Sequence, residues 1–131
     1  MASIFTKIIN GEIPCYKIAE DDRFFAFLDI NPLAKGHTLV VPKVETDYLF
    51  DLDEDLLGDM MKFAKKVALA IDEKMDCKRV GVAVLGLEVP HAHIHLCPIN
   101  DLYDIEFSKP KLKLSQDEFE KIAADIRSAL K

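Results

Sequence analysis

Three histidines at two-residue spacing stand in the run Pro90-His91-Ala92-His93-Ile94-His95-Leu96-Cys97-Pro98. In an extended strand side chains alternate between faces, so His91, His93, His95 and Cys97 share one side. Ala92, Ile94 and Leu96 share the other, which reads as the core side. Three imidazoles on one face are poor material for stability alone: buried they lose hydration, and protonated together they repel. Metal binding is one use for such a row, since two His can grip one zinc ion. Three collinear His span ~13 Å at ~3.3 Å per residue, however, so one ion would need two of them plus a ligand from elsewhere. No Asp or Glu lies within this strand. The other use is hydrolysis or phosphoryl transfer, in which neutral imidazole attacks phosphorus and water later resolves the phospho-histidine. Neighbouring imidazoles then fix the nucleophile's tautomer, donate to phosphate oxygens and assist the leaving group.

The rest of the composition narrows the setting. The chain has 131 residues, half of them hydrophobic and 31% charged, the length and balance of a single soluble domain over residues 1–131. Its net charge of −6 argues against a nucleic-acid surface or an anionic membrane as partner, though a local site can still attract a phosphate. Cys15, Cys77 and Cys97 are odd in number and far apart, which predicts neither disulfides nor a cysteine zinc site. The first residues lack a basic start followed by a long apolar run, and no apolar stretch reaches the ~18 residues of a membrane span. A cytoplasmic protein is expected.

The elements that must position the histidines follow from periodicity. Ile4–Ile9 has helical apolar spacing and stops at Asn10-Gly11. Cys15–Glu20 and Arg23–Asp29 read as strands joined by a turn at Asp21-Asp22, and Gly36 precedes a third strand, His37–Val41, ended by Pro42. Asp51 and Glu54 have N-cap and N3 spacing for a long helix, whose stripe runs through Leu56, Met60, Phe63, Ala64, Val67, Ala68 and Ile71. Val80–Leu85 and His91–Ile99 read as two more strands. Ser115 and Glu118 form a capping box for a closing helix with Phe119, Ile122, Ala123 and Ile126 on one face, and Leu114 with Phe119 supplies a hydrophobic staple. The order α-β-β-β-α-β-β-α lacks regular strand–helix alternation, so an α+β fold with an antiparallel sheet covered by helices is expected.

His91 to Cys97 fills every position of the pattern His-φ-His-φ-His-φ-φ, φ being hydrophobic, and resembles the signature of the histidine triad (HIT) superfamily. Ser3–Pro14 looks like the opening helix and turn of that family's Hint-like and bacterial branch. Phe25–Pro32 and Gly36–Lys43 look like its next two blocks, so the resemblance covers about residues 3–100 and leaves 101–131 as a C-terminal extension. It implies the HIT fold, a five-stranded antiparallel sheet with one long helix, a short N-terminal helix and a C-terminal helix. It also implies a homodimer, and a hydrolase that cleaves the α-phosphate bond of nucleoside phosphoramidates or related conjugates through a nucleotidyl-histidine. His93 matches the nucleophile, His91 and His95 its flanking partners, and His37 the additional histidine beside the triad. Asp29 matches the acidic residue that accepts from ribose hydroxyls. Ile4, Phe5, Ile8, Phe27, Leu28 and Ile30 match positions lining the nucleoside pocket, where a purine nucleotide of AMP or GMP type would bind.

Three departures from the family pattern bear on specificity. The run Gly86-Leu87-Glu88-Val89-Pro90 is short and lacks the hydroxyl residue that contacts phosphate. Many bacterial relatives hold a structural zinc where this chain has Ser3, Thr6 and Glu45, so no metal and no cofactor is expected. The tail forms a capped helix in place of a Trp-containing one. A dinucleoside polyphosphate hydrolase, a metal-dependent hydrolase and a non-catalytic nucleotide-binding module stand as alternatives.

Overall fold

Every residue of Phe24–Leu28 is buried, which only a strand covered on both faces achieves. The computed structural model describes residues 2–131 and places this strand, β2, inside an antiparallel sheet of order β1-β2-β3-β5-β4. The other strands are β1 (Lys17–Glu20), β3 (Thr38–Pro42), β4 (Arg79–Ala83) and β5 (Ile94–Ile99), and the helices are α1 (Ile4–Ile9), α2 (Glu54–Lys74) and α3 (Gln116–Ser128). This is the expected α+β, HIT-like architecture in the expected order. No helix among the described residues is long and apolar enough to cross a membrane.

The two-residue period of β2 and β3 splits the apolar content into two layers. Phe24, Ala26, Leu28 and Val40 join Ile94 and Leu96 of β5 under α2 and α3. Phe25, Phe27, Leu39 and Val41 face the opposite way and pack with Phe5 of α1. The helix-side core receives the stripe of α2 through Met60, Ala64, Val67 and Ile71, all at most 1% exposed, with Leu56, Phe63 and Ala68 packed against its edge. Burying each large apolar side chain of this kind contributes about 1.5–3 kcal/mol. α3 carries the expected capping box: Ser115 Oγ accepts from the Glu118 amide and Glu118 Oε1 accepts from the Ser115 amide, each at 3.1 Å. Leu114 packs against the same core that buries Phe119, Ile122, Ala123 and Ile126.

Several boundaries differ from expectation. The chain before α2 does not use Asp51 as the cap. Leu49 and Leu52 are drawn into the core, Leu49–Asp51 forms a 3₁₀ turn, and the N-cap is Asp53 without a side-chain cap bond. Glu54 and Asp55 still place negative charge at the helix N-terminus. The strand expected over His91–Ile99 begins only at Ile94, so His91 and His93 lie on the approach to β5 and not in the ladder. The register pairs Val40 with Ile94, so Pro42, which has no N–H, falls opposite Ala92 and pairing stops. The Ala92 amide donates instead to the Thr46 carbonyl at 2.6 Å. β4 likewise ends at Ala83, short of Leu85. Gly36 turns the chain into β3 with φ +96°, and a Cβ there would sit 2.7 Å from Met75 Cγ; only glycine fits the turn that delivers His37.

Candidate active site

A cavity of about 380 Å³ opens on the α1 side of the sheet, within the size range of small-molecule sites. Ile4, Phe5 and Ile8 of α1, Phe27 and Leu28 of β2, and Asp29 and Ile30 beyond it line the cavity together with His37, His93 and His95. Three of the four expected imidazoles therefore line one cavity, with His91 behind them against His93 and Phe5. His93 and His95 keep 7% and 8% of their surface at the cavity, whereas His37 and His91 are at most 1% exposed. His91 is not part of the lining. Ile4 and Ile30 are exposed apolar side chains at the mouth, as expected of a binding wall and not of a core; Leu28 also belongs to the helix-side core.

Backbone groups dictate the tautomer of each ring, because an amide only donates and a carbonyl only accepts. The Leu33 amide donates to His37 Nδ1 at 3.0 Å, so the His37 proton sits on Nε2. That Nε2–H donates to His95 Nδ1 at 3.0 Å, which leaves the His95 proton on its own Nε2, a donor for a ligand in the cavity. His93 Nδ1 donates to the His91 carbonyl at 2.7 Å, so its Nε2 holds a free lone pair. His91 Nε2 donates to the Pro42 carbonyl at 2.8 Å, and His91 Nδ1 accepts from Ser3 Oγ at 2.7 Å. One ring thus offers a lone pair and its neighbour, with ring centres 5.0 Å apart, offers an N–H.

Burial disfavours the charged form of His37, His93 and His95. It lowers the His95 pKa to about 3, with His37 and His93 adding repulsion, and the His37 pKa to about 4, with Lys111 adding to the effect. His93 is also lowered by burial, and its bond to the His91 carbonyl works against that shift. The Asp29 carboxyl is raised by burial and pulled back by the Asn31 amide and Lys111. Its Oδ2 lies 3.6 Å from His37 Nε2, farther than His95 Nδ1, so His95 holds the stronger claim on that proton.

Asp29, His37 and His95 bring three potential metal ligands within 4.8 Å of one another. A metal on His37 Nε2 would require the other ring nitrogen to act as a donor. Here that nitrogen faces the Leu33 N–H, so the geometry suits a hydrogen-bonded pair better than a metal. Behind the cavity, Ser3, Thr6 and Glu45 surround His91. One Glu45 oxygen accepts from the Ser3 amide and the Thr6 hydroxyl, both at 2.6 Å, and Ser3 Oγ also caps α1 by accepting from the Thr6 amide at 3.0 Å. These donors hold Glu45 down to a pKa of about 2.

The HIT domain profile matches residues 10–101. The chain belongs to the HIT family. As a HIT protein it is 35% identical to the adenosine 5′-monophosphoramidase of Schizosaccharomyces pombe over the full length of both chains. It is 37% identical to an uncharacterized HIT-like protein of Borreliella burgdorferi, covering 94% of each chain. The structure of a Hit-like protein from Bartonella henselae superposes with a TM-score of 0.85 at 33% identity, covering 98% of this chain and 96% of that one. A zinc-bound histidine triad family protein from Mycobacterium smegmatis is also similar, with a TM-score of 0.81 at 28% identity over 98% and 93% of the two chains. Zinc favours thiolate and imidazole ligands. Two hydroxyls and a carboxylate already bonded to one another around His91 do not fit a tetrahedral zinc.

Several wall residues escaped the sequence reading, two of them beyond the span the family profile matches. Phe107 and Lys111, from the irregular segment after β5, line the cavity. Leu112 pins this segment by donating to the Pro32 carbonyl at 2.8 Å. Neither position carries a periodic or motif signal.

Proposed function

We propose that this HIT protein hydrolyses nucleoside 5′-phosphoramidates, with His93 as the nucleophile. The supporting observation is the opposed state of two adjacent rings, a free lone pair on His93 Nε2 beside an N–H on His95 Nε2. A purine would lie between the apolar side chains of α1 and β2, with Asp29 accepting from the ribose hydroxyls. His93 Nε2 attacks the α-phosphorus, a P–N bond forms as the P–N bond to the amine breaks, and the amine leaves after taking up a proton from solvent, which the attacking water later returns. His95 donates its N–H to a phosphate oxygen or the departing nitrogen. Water then attacks the nucleotidyl-histidine and releases the nucleoside monophosphate. His91 acts from behind by holding His93 through its carbonyl, and His37 by fixing His95.

Charge around the cavity favours an amine over a polyphosphate as leaving group. Asp29 and Glu88 both line it, with Lys111 as the opposing cation. A departing amine gains from such carboxylates, whereas a polyphosphate is repelled. The relatives named as adenosine 5′-monophosphoramidases support the same substrate class. We also propose that the protein works as a homodimer in the cytoplasm. β4 is an edge strand, and the exposed Val82, Val84, Leu85 and Leu87 give that edge an apolar surface suited to a second copy of the chain.

The deciding experiment is intact-mass analysis after rapid quenching of the protein with adenosine 5′-phosphoramidate. One nucleotidyl adduct is expected on the wild-type chain and none on His93→Ala, whose turnover should fall on the order of 10⁴-fold or more. Turnover that survives in His93→Ala would overturn the nucleophile assignment.

A further inference from the structure

The family profile ends at residue 101, yet the chain beyond it returns to the cavity. Asp101 caps a short 3₁₀ turn over Leu102–Ile105, whose Asp104 carboxylate accepts from the Asn100 amide at 2.7 Å and the Asp101 amide at 3.0 Å. That turn and the Leu112–Pro32 bond fix both ends of the segment that carries Phe107. The half-buried Phe107 ring meets the His95 ring edge-on, with centroids 4.7 Å apart and planes at 66°, and its centroid lies 6.1 Å from that of His37. It covers the two rings that share the Nε2–H···Nδ1 bond.

We propose that Phe107 is a positioning residue that keeps water away from the His37–His95 hydrogen bond, so that His95 meets the substrate in a single tautomer. This rests on the reading of His95 as a group that touches the substrate. Water is the competitor that matters, since it could take the His37 Nε2–H and turn either a hydrogen or a lone pair toward His95 Nδ1, freeing His95 to exchange tautomers or take a proton while the Leu33 amide still holds His37. The other groups facing the pair do not replace the ring. Asp29 stands 3.6 Å from His37 Nε2, His93 holds its own proton toward the His91 carbonyl, and Lys111 donates to the Phe107 and Lys109 carbonyls. Glu88 lies at the cavity wall on the far loop. With water admitted, Asp29 also becomes an effective rival for the His37 proton.

The test uses the full chain and two readouts. Long-range ¹H–¹⁵N spectra of the histidine rings, recorded without substrate between pH 5 and 8, report tautomer and protonation directly. The wild type should show His95 as one neutral tautomer throughout. Phe107→Ala should show mixed tautomers and protonation moving toward the ordinary histidine value of about 6.5. Phe107→Gln, which keeps bulk but brings a polar group, should behave like Phe107→Ala and serves if the alanine variant folds poorly. Phe107→Leu should stay close to wild type. In turnover of adenosine 5′-phosphoramidate, Phe107→Ala should lose about tenfold in kcat with KM little changed, a fraction of what full loss of a catalytic hydrogen-bonding group costs. Wild-type His95 spectra in both Phe107→Ala and Phe107→Gln would overturn the proposal, as would an equal change in Phe107→Leu. The spectra need no turnover, so an inactive wild type would defeat the proposed activity and leave this inference standing.

Discussion

His37 Nε2 lies 3.0 Å from His95 Nδ1, and the Leu33 amide on the far side of His37 decides which ring gives the proton. The direction of the pair is set by a backbone N–H, which has no alternative protonation state. His95 therefore presents a proton to the cavity without carrying a charge.

Removal of His37 should unfix that direction. In His37→Ala the His95 proton is free to sit on either nitrogen, and the share with Nδ1–H loses its donor toward the cavity. A fall in kcat of about 10- to 100-fold, with nucleotide affinity nearly kept, is expected from steady-state kinetics and AMP titration. An unchanged kcat would remove His37 from the mechanism.

Acid should destabilise the fold before it titrates most carboxylates. His37 and His95 have folded pKa values of about 4 and about 3, below the ordinary 6.5, so the unfolded chain binds more protons in between. The contribution of this pair to stability is complete above about pH 6.5 and falls as pH drops toward 4 and then 3. Glu45, held at about 2, adds a loss that begins only below its ordinary value of 4.5. Urea midpoints measured from pH 7.5 to 4 should decline through this window, and replacing His37 with an uncharged residue should flatten the decline. A flat wild-type curve would contradict the buried, neutral state of the pair.

The polar clasp behind the cavity predicts an effect without a metal. Glu45→Gln keeps an oxygen that accepts from the Ser3 amide and the Thr6 hydroxyl, whereas Glu45→Ala leaves both without that partner. The alanine variant should raise KM for nucleotide several-fold, because α1 carries Ile4, Phe5 and Ile8 into the cavity wall, and the glutamine variant should largely restore it. Neither a chelator nor added zinc should alter wild-type activity. Chelator-sensitive turnover would show that a metal acts here after all.

The β4 edge should decide the oligomeric state. Val82→Glu or Val84→Glu puts a charge on an exposed apolar position and should convert a dimer to a monomer by light scattering with chromatography. A wild type that is monomeric at micromolar concentration would exclude the proposed dimer.

The elements were legible because each depended on a local pattern: the β-branched-rich run of β3 between Gly36 and Pro42, the three- and four-residue steps of α2, and the Ser115–Glu118 box of α3. The quartet of histidines was legible because a scarce residue type recurred at one spacing and once more at His37. What could not be read depended on partners distant in sequence. No motif announces that Pro42 ends the pairing of β5 and leaves His91 and His93 outside it. The tautomers are written by the Leu33 amide and the His91 and Pro42 carbonyls, which every sequence possesses. Phe107 sits in a stretch without periodicity, and only its tertiary return reveals its neighbours. Asp51 lost the cap of α2 because burial of Leu49 and Leu52 outweighed a favourable spacing.

The alternation of β2 has a consequence for how this chain can change over generations. Phe25 and Phe27 face the ligand side while Phe24, Ala26 and Leu28 hold the helix-side core, so neighbouring codons answer to different selective pressures. Substrate range can drift through apolar exchanges at residues 27 and 39, which line the cavity, while residues 24, 26 and 40 serve the core alone. A library of apolar exchanges at the first pair should yield folded variants with altered preference, and one at the second set should change stability without changing preference.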